Sequence, residues 1–188
     1  MRYLSVLIGV LLFPAIAAGG AGEVVRPVDH AAAVTIRRAV AGSRLVREML
    51  RELERTDLIV HVEMSRDLPG GLGGTTRLVT ARGGHRYLRV SIATALPPEA
   101  RAAILGHELQ HAIEIARSRA HDSETLRQFW LHHGYRINDR FFETEAARGV
   151  ERAIRQELRR SQAEPIAELD HEHLRAGRAK AAAEIAKR

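Results

Sequence analysis

The sequence contains no cysteine. That excludes disulfides and removes thiolate from any metal site, so a bound metal has to be held by His, Glu or Asp. It also excludes lipid attachment to a cysteine after the leader. Long hydrophobic runs are missing too: the most apolar stretch, Leu4 to Phe13, is short for a bilayer span and is followed by Pro14. Lysine is nearly absent, with 2 Lys against 27 Arg. There is no internal repeat and no second core-forming segment. The 188 residues therefore suggest one domain, long enough to bury a core that needs no cross-links.

What is present begins with a leader. Arg2, the apolar run, Pro14 and then Ala15-Ile16-Ala17 read as a secretory signal peptide over residues 1–18, the alternative being an uncleaved anchor. Its removal leaves an exported protein, periplasmic or extracellular, without a stable membrane anchor. The net charge is +6, and a basic surface attracts nucleic acid, acidic polymers or an anionic cell surface. Here the arginines are spread along the chain; Arg148, Arg152, Arg155 and Arg159, for example, recur on the solvent side of one helix. Specific nucleic-acid binding is not expected on that pattern.

Hydrophobic periodicity orders the rest. Residues 30–55 read as helix, broken at Gly42-Ser43 with Ser43 capping the second piece. Leu58 to Met64 alternates as a half-buried strand, with Leu58, Val60, Val62 and Met64 on one face and His61 and Glu63 on the other. Pro69 to Gly74 is a loop, and its glycines lack the Lys-Ser/Thr of a phosphate cradle. Strands over Thr76–Arg82 and His85–Ala93 flank Gly83-Gly84, a hairpin signal, with Leu88, Val90 and Ile92 facing the core. Pro97-Pro98-Glu99 opens the next helix. Ser123–His132 and Phe141–Arg160 follow as helices. Residues 19–162 form the expected domain, and 163–188 a charged tail, helical or disordered.

The chemistry lies in His107-Glu108-Leu109-Gln110-His111, inside the apolar helical stretch Ala102 to Ala116. Histidines at i and i+4 share a helical face, so both imidazoles reach one zinc ion, and the intervening glutamate can lie against a metal-activated water. The bland alternative is a pair of hydrogen-bonded core histidines. Gly106, costly in mid-helix, makes sense if something packs close to the backbone there. Catalytic zinc normally has three protein ligands. The next turns offer Glu114 and Arg117, which excludes the H-E-x-x-H-x-x-G-x-x-H class, so the third ligand comes from elsewhere. Helical phase favours Glu143, which would share a face with Ala146, Ala147, Val150 and Ile154, over Glu145, which would face Arg148 and Arg152. A buried salt bridge from Glu143 to an arginine stays open, and Asp139 is a fallback ligand. Tyr135, with His121, His132, His133 and Arg136, lies between the ligand segments as a candidate oxyanion stabiliser. His171 and His173 read as solvated.

An HExxH helix followed by a second helix bearing Glu143, with Ala146 and Ala147 beyond, resembles the gluzincin group of zinc metallopeptidases over about Leu45 to Leu158. The resemblance implies an α+β, zincin-like fold: a small antiparallel or mixed sheet of about three strands packed on the HExxH helix and further helices. It also implies zinc on His107, His111 and Glu143, with Glu108 as general base and later proton donor. An extended peptide or protein substrate would lie against an edge strand within Thr76–Ala93. Two features depart from the thermolysin-like pattern. The 31 residues between His111 and Glu143 are a longer spacer, and Ala147 stands where an aspartate commonly supports a zinc-bound histidine. Two other functions remain: a zinc-binding domain without catalysis, and a basic exported protein that binds an anionic surface or nucleic acid.

Overall fold

Alternation at Leu58, Val60 and Val62 makes a strand with one dry face, and that strand becomes the organiser of a mixed sheet. The computed structural model describes residues 24–137 and 141–161. In chain order they form β1 (Val25–Pro27), α1 (His30–Gly42), α2 (Arg44–Leu53), β2 (Leu58–Ser65), β3 (Gly74–Arg82), β4 (His85–Ala93), α3 (Pro98–Arg117) and α4 (Ser123–His133). A two-strand ladder of β5 (Tyr135–Arg136) and β6 (Phe142–Glu143) follows, then α5 over residues 145–161. The main sheet has the order β1-β2-β4-β3. β1, β2 and β4 run parallel, and β3 returns antiparallel to β4. The fold is therefore α+β with a mixed sheet of four strands, one more than expected. The extra strand is β1, whose three residues are too few to show a period in the sequence; Val25 pairs with Val60.

Local chemistry sets the breaks. Ser43 ends α1 and caps α2, its Oγ accepting from the Val46 N–H at 3.1 Å. Gly83 and Gly84 take φ of 61° and 78°, the left-handed pair that a two-residue hairpin turn requires. The core forms where Val60, Val62, Leu88, Val90 and Ile92, all fully buried, meet Ala102, Leu105, Leu109 and Ala112 of α3. Burial runs around most of α3 because α1 and α2 also pack on it. A Cβ on Gly106 would overlap Ile154 Cδ1 of α5. The close approach expected at that glycine is the α3–α5 contact.

One expected element changes character. The helix read from Phe141 starts at residue 145, and Phe142-Glu143 instead pairs with Tyr135-Arg136. The reason is Thr144, whose Oγ1 accepts from the Ala147 N–H at 3.1 Å. A capping threonine holds the residue before it outside the helix, and the aromatic pair ahead of it suits a strand. The expected leader, Asp139, the tail and its His171 and His173 lie outside the described residues. Among the described residues, no helix is long and apolar enough to cross a membrane.

Candidate metal centre

The i, i+4 spacing on α3 brings His107 and His111 to one face, with ring centroids 5.0 Å apart. β6 lays Glu143 across them: its Oε1 is 3.3 Å from His107 Nε2 and 3.5 Å from His111 Nε2. One ligand atom from each of the three falls within 4.8 Å of the others, and all three residues are buried. They could hold a metal ion. Glu143 joins the cluster not by the helical phase expected of it but through β6 and the Thr144 cap. Glu145, its rival, is exposed.

The other imidazole nitrogens are committed to carboxylates. His107 Nδ1 is 3.2 Å from Glu151 Oε2, and His111 Nδ1 is 3.0 Å from Glu114 Oε2. These acids are themselves held. Thr144 Oγ1 donates to Glu114 Oε1 at 2.9 Å, and Arg155 donates to Glu151 Oε1 at 2.7 and 3.0 Å. A histidine that donates Nδ1–H to a carboxylate presents the Nε2 lone pair, with its ring orientation fixed, as metal-bound histidines do. The carboxylate that faces His107 is thus Glu151, one helical turn beyond Ala147. Two nitrogens and one carboxylate oxygen are also the donor set of a catalytic zinc site.

Charge supports the same fit. Burial works against the imidazolium form of His107, but Glu143 and Glu151 outweigh it and push its pKa up to about 10. Burial likewise opposes charge on His111, and Glu114 and Glu143 raise it to about 9. The Glu143 carboxyl, though partly desolvated, is held well below the usual carboxylate range by hydrogen bonds from His107 and His111. Two extra protons carry the charge of one divalent cation. Exchanging them for such an ion keeps the cluster's charge constant.

Glu108 points the other way, toward β3. Its Oε2 accepts from Thr76 Oγ1 at 2.8 Å. A Cβ on Gly74 would come within 2.6 Å of its Oε1, so the glycine lets the carboxylate lie against the strand. Burial pushes its pKa up, against the pull of His111, His107 and Thr76. The histidines and Glu108 open onto a cleft of about 360 Å³ between β3, α4 and the β5–β6 ladder. Trp130 stands edge-on to His111 at 5.3 Å and backs onto Phe129, and Phe141 and Phe142 continue that wall.

Tyr135 is opposite Glu143 in register, but it is not among the residues lining the cleft. It is 38% exposed, with the Arg148 guanidinium 5.1 Å above its ring. Arg148 Nε is also 3.6 Å from Glu143 Oε2, so the arginine partner considered for Glu143 exists alongside the histidines. His121, His132 and His133 are exposed, and the last two turn Nδ1 to backbone carbonyls of α4. Arg136 is an exposed residue of β5. Sequence reasoning missed Thr76, Glu114, Thr144 and Glu151. Glu114 had a signal, since i+3 from His111 is a same-face position; the others depend on tertiary contacts. No family model, curated protein or solved structure matches the chain.

Proposed function

We propose that the protein is a zinc-dependent metallopeptidase of the gluzincin type, exported from the cell. The observation that carries this reading is the meeting of His107, His111 and Glu143 in the lining of a cleft that Glu108 also lines. His107, His111 and Glu143 would hold the zinc. When bound, zinc supplies Lewis acidity, which polarises a carbonyl and makes water acidic near neutrality. The chain does the rest. Glu108 accepts a proton from the attacking water and returns it to the departing amine nitrogen. Its burial suits both duties, because a raised pKa brings acid and base forms closer to working pH. The Thr76 hydroxyl fixes the direction of one carboxylate oxygen. β3 is an edge of the sheet among the described residues and borders the cleft, so its free main-chain groups can pair with an extended peptide. The wall of Trp130, Phe141 and Phe142 accepts apolar side chains of the substrate.

Glu108→Gln tests the reading directly. The variant is expected to bind one zinc per chain, measured by elemental analysis after desalting, while peptide hydrolysis falls by about 10²–10⁴-fold, the usual worth of a general base. Full activity in that variant would remove Glu108 from the mechanism. No zinc in either protein after reconstitution would remove the metal.

A further inference from the structure

Arginines scattered along the chain are brought into line by the sheet. Arg26 pairs in register with His61, His61 with Arg89, and Arg89 with Arg77. Residues directly opposite one another in a sheet project from the same face. Val25, Val60, Leu88 and Leu78 beside them are buried on the inner face, so this row crosses the outer one. Adjacent strands lie about 4.8 Å apart, which makes the row about 14 Å long. Arg26, Arg89 and Arg77 are exposed and His61 half-buried.

Arg89 and Arg77 are like charges placed directly opposite each other, an arrangement that destabilises a sheet. Glu63 is the only acid in the four strands. It sits 3.8 Å from Arg89 and also accepts from Ser91 Oγ at 2.8 Å, so it answers one cation in part. Arg77 has no ion-pair partner among the described residues. It belongs to β3 and lines the cleft, and the residue before it, Thr76, touches Glu108. The basic row therefore ends at the lip of the cleft.

We propose that this face docks an acidic segment of a polypeptide substrate, laid across the strands and passing over Arg77 into the cleft; the inference rests on the peptidase reading of that cleft. A polypeptide fits better than a nucleic acid. Tyr87, the one Phe, Tyr or Trp ring in the four strands, is already stacked on His61 with planes 12° apart, and nucleic-acid platforms need free aromatic rings on which bases stack.

The test uses the full chain as the Glu108→Gln variant, so that a bound peptide is not cut. Fluorescence anisotropy follows a labelled peptide of alternating Glu and Ala, its Gln counterpart, and a thymidine oligonucleotide. The Glu peptide is expected to bind, and more weakly as salt rises. Adding Arg77→Glu and Arg89→Glu should weaken it by at least about tenfold, with Arg77→Gln giving a smaller loss in a protein of unchanged circular dichroism. Arg152→Glu, on the exposed side of α5, should leave it unchanged. Equal loss in Arg152→Glu, no loss in the β3–β4 variants, or binding of the oligonucleotide in preference to the peptide would each overturn the proposal. With Glu108 restored, kcat/KM on a substrate carrying the acidic segment should fall about tenfold further in the Arg77 and Arg89 variant than on a neutral one. If the acidic peptide binds through the row but no peptide is ever hydrolysed, the docking face stands and the peptidase reading falls.

Discussion

Helix α3 carries two buried polar clusters, and they are built on opposite principles. At its C-terminal end Arg86, 8% exposed, reaches from β4. It donates to the carbonyls of Ile115, Ala116, Ser118 and Ala120 at 2.7–3.2 Å, and to both Asp57 oxygens at 2.7 and 2.8 Å. Every guanidinium N–H has an acceptor, and the carbonyls left over at the helix end have a donor. In the middle of the same helix, Glu108, Glu114, Glu143 and Glu151 surround two imidazoles, with Arg148 and Arg155 at the margin. The first account closes with groups the chain provides. The second closes only when positive charge is added, as protons on the histidines or as a cation. A buried polar cluster thus points to a ligand when its charges do not balance internally, and to structure when they do.

Removing the closed cluster should have the largest effect on stability. Arg86→Ala leaves Asp57 and four carbonyls without their donor, and is expected to cost about 3–5 kcal/mol. Urea midpoints should show that loss equally with and without zinc; a loss that zinc restores would erase the distinction between the two ends. Next comes Glu151→Gln, which frees one histidine of the open cluster from its carboxylate. Metal affinity should fall by about 10–100-fold in competition with a chelator, with a smaller change in zinc-free stability than Arg86→Ala produces. An unchanged affinity would mean that Glu151 serves the α3–α5 packing alone.

The gentlest effect is on pH dependence, at most about 1.4 kcal/mol per pH unit for each proton that differs between folded and unfolded chains. His107 and His111 have folded pKa values raised to about 10 and 9. Without zinc, their contribution is complete below the unfolded value of 6.5 and lost as pH rises through 9 and 10. Zinc binding requires those protons to leave, so zinc affinity should rise over the same window. Thermal melts from pH 6 to 10 should show an alkaline decline that zinc abolishes and that Arg86→Ala leaves in place. At the closed end, Arg86 holds the Asp57 carboxyl below its ordinary value against partial burial, so that contribution disappears only as pH falls below about 4. A decline undiminished when His107 and His111 are both replaced by Gln would assign the alkaline limb to another group.

The two clusters were unequally legible. Arg86 is in phase with Leu88, Val90 and Ile92 on the core face of β4, a position the sequence reading did not single out, and nothing local names its acceptors. Glu108 and the two histidines were readable because one helical turn places them. Glu143 was chosen through a helix that the Thr144 cap delays. It is buried, but through the pairing of β6 with β5 and not through the helical phase that pointed to it.

The sequence alone determined what the short-range physics of the chain controls. It specified the alternation that makes β2 and β4, the Gly-Gly turn, the Ser43 break and the spacing that aligns His107 with His111. Periods of two and 3.6 residues, and caps one turn long, act within a few positions and leave their marks there. Tertiary structure decided the rest: Glu151 behind His107, Thr76 on Glu108, Arg86 on the end of α3, and the row from Arg26 to Arg77 across four strands. Each of these joins residues far apart in the chain. Their meeting depends on sheet order, register and the close approach at Gly106, which no local pattern records.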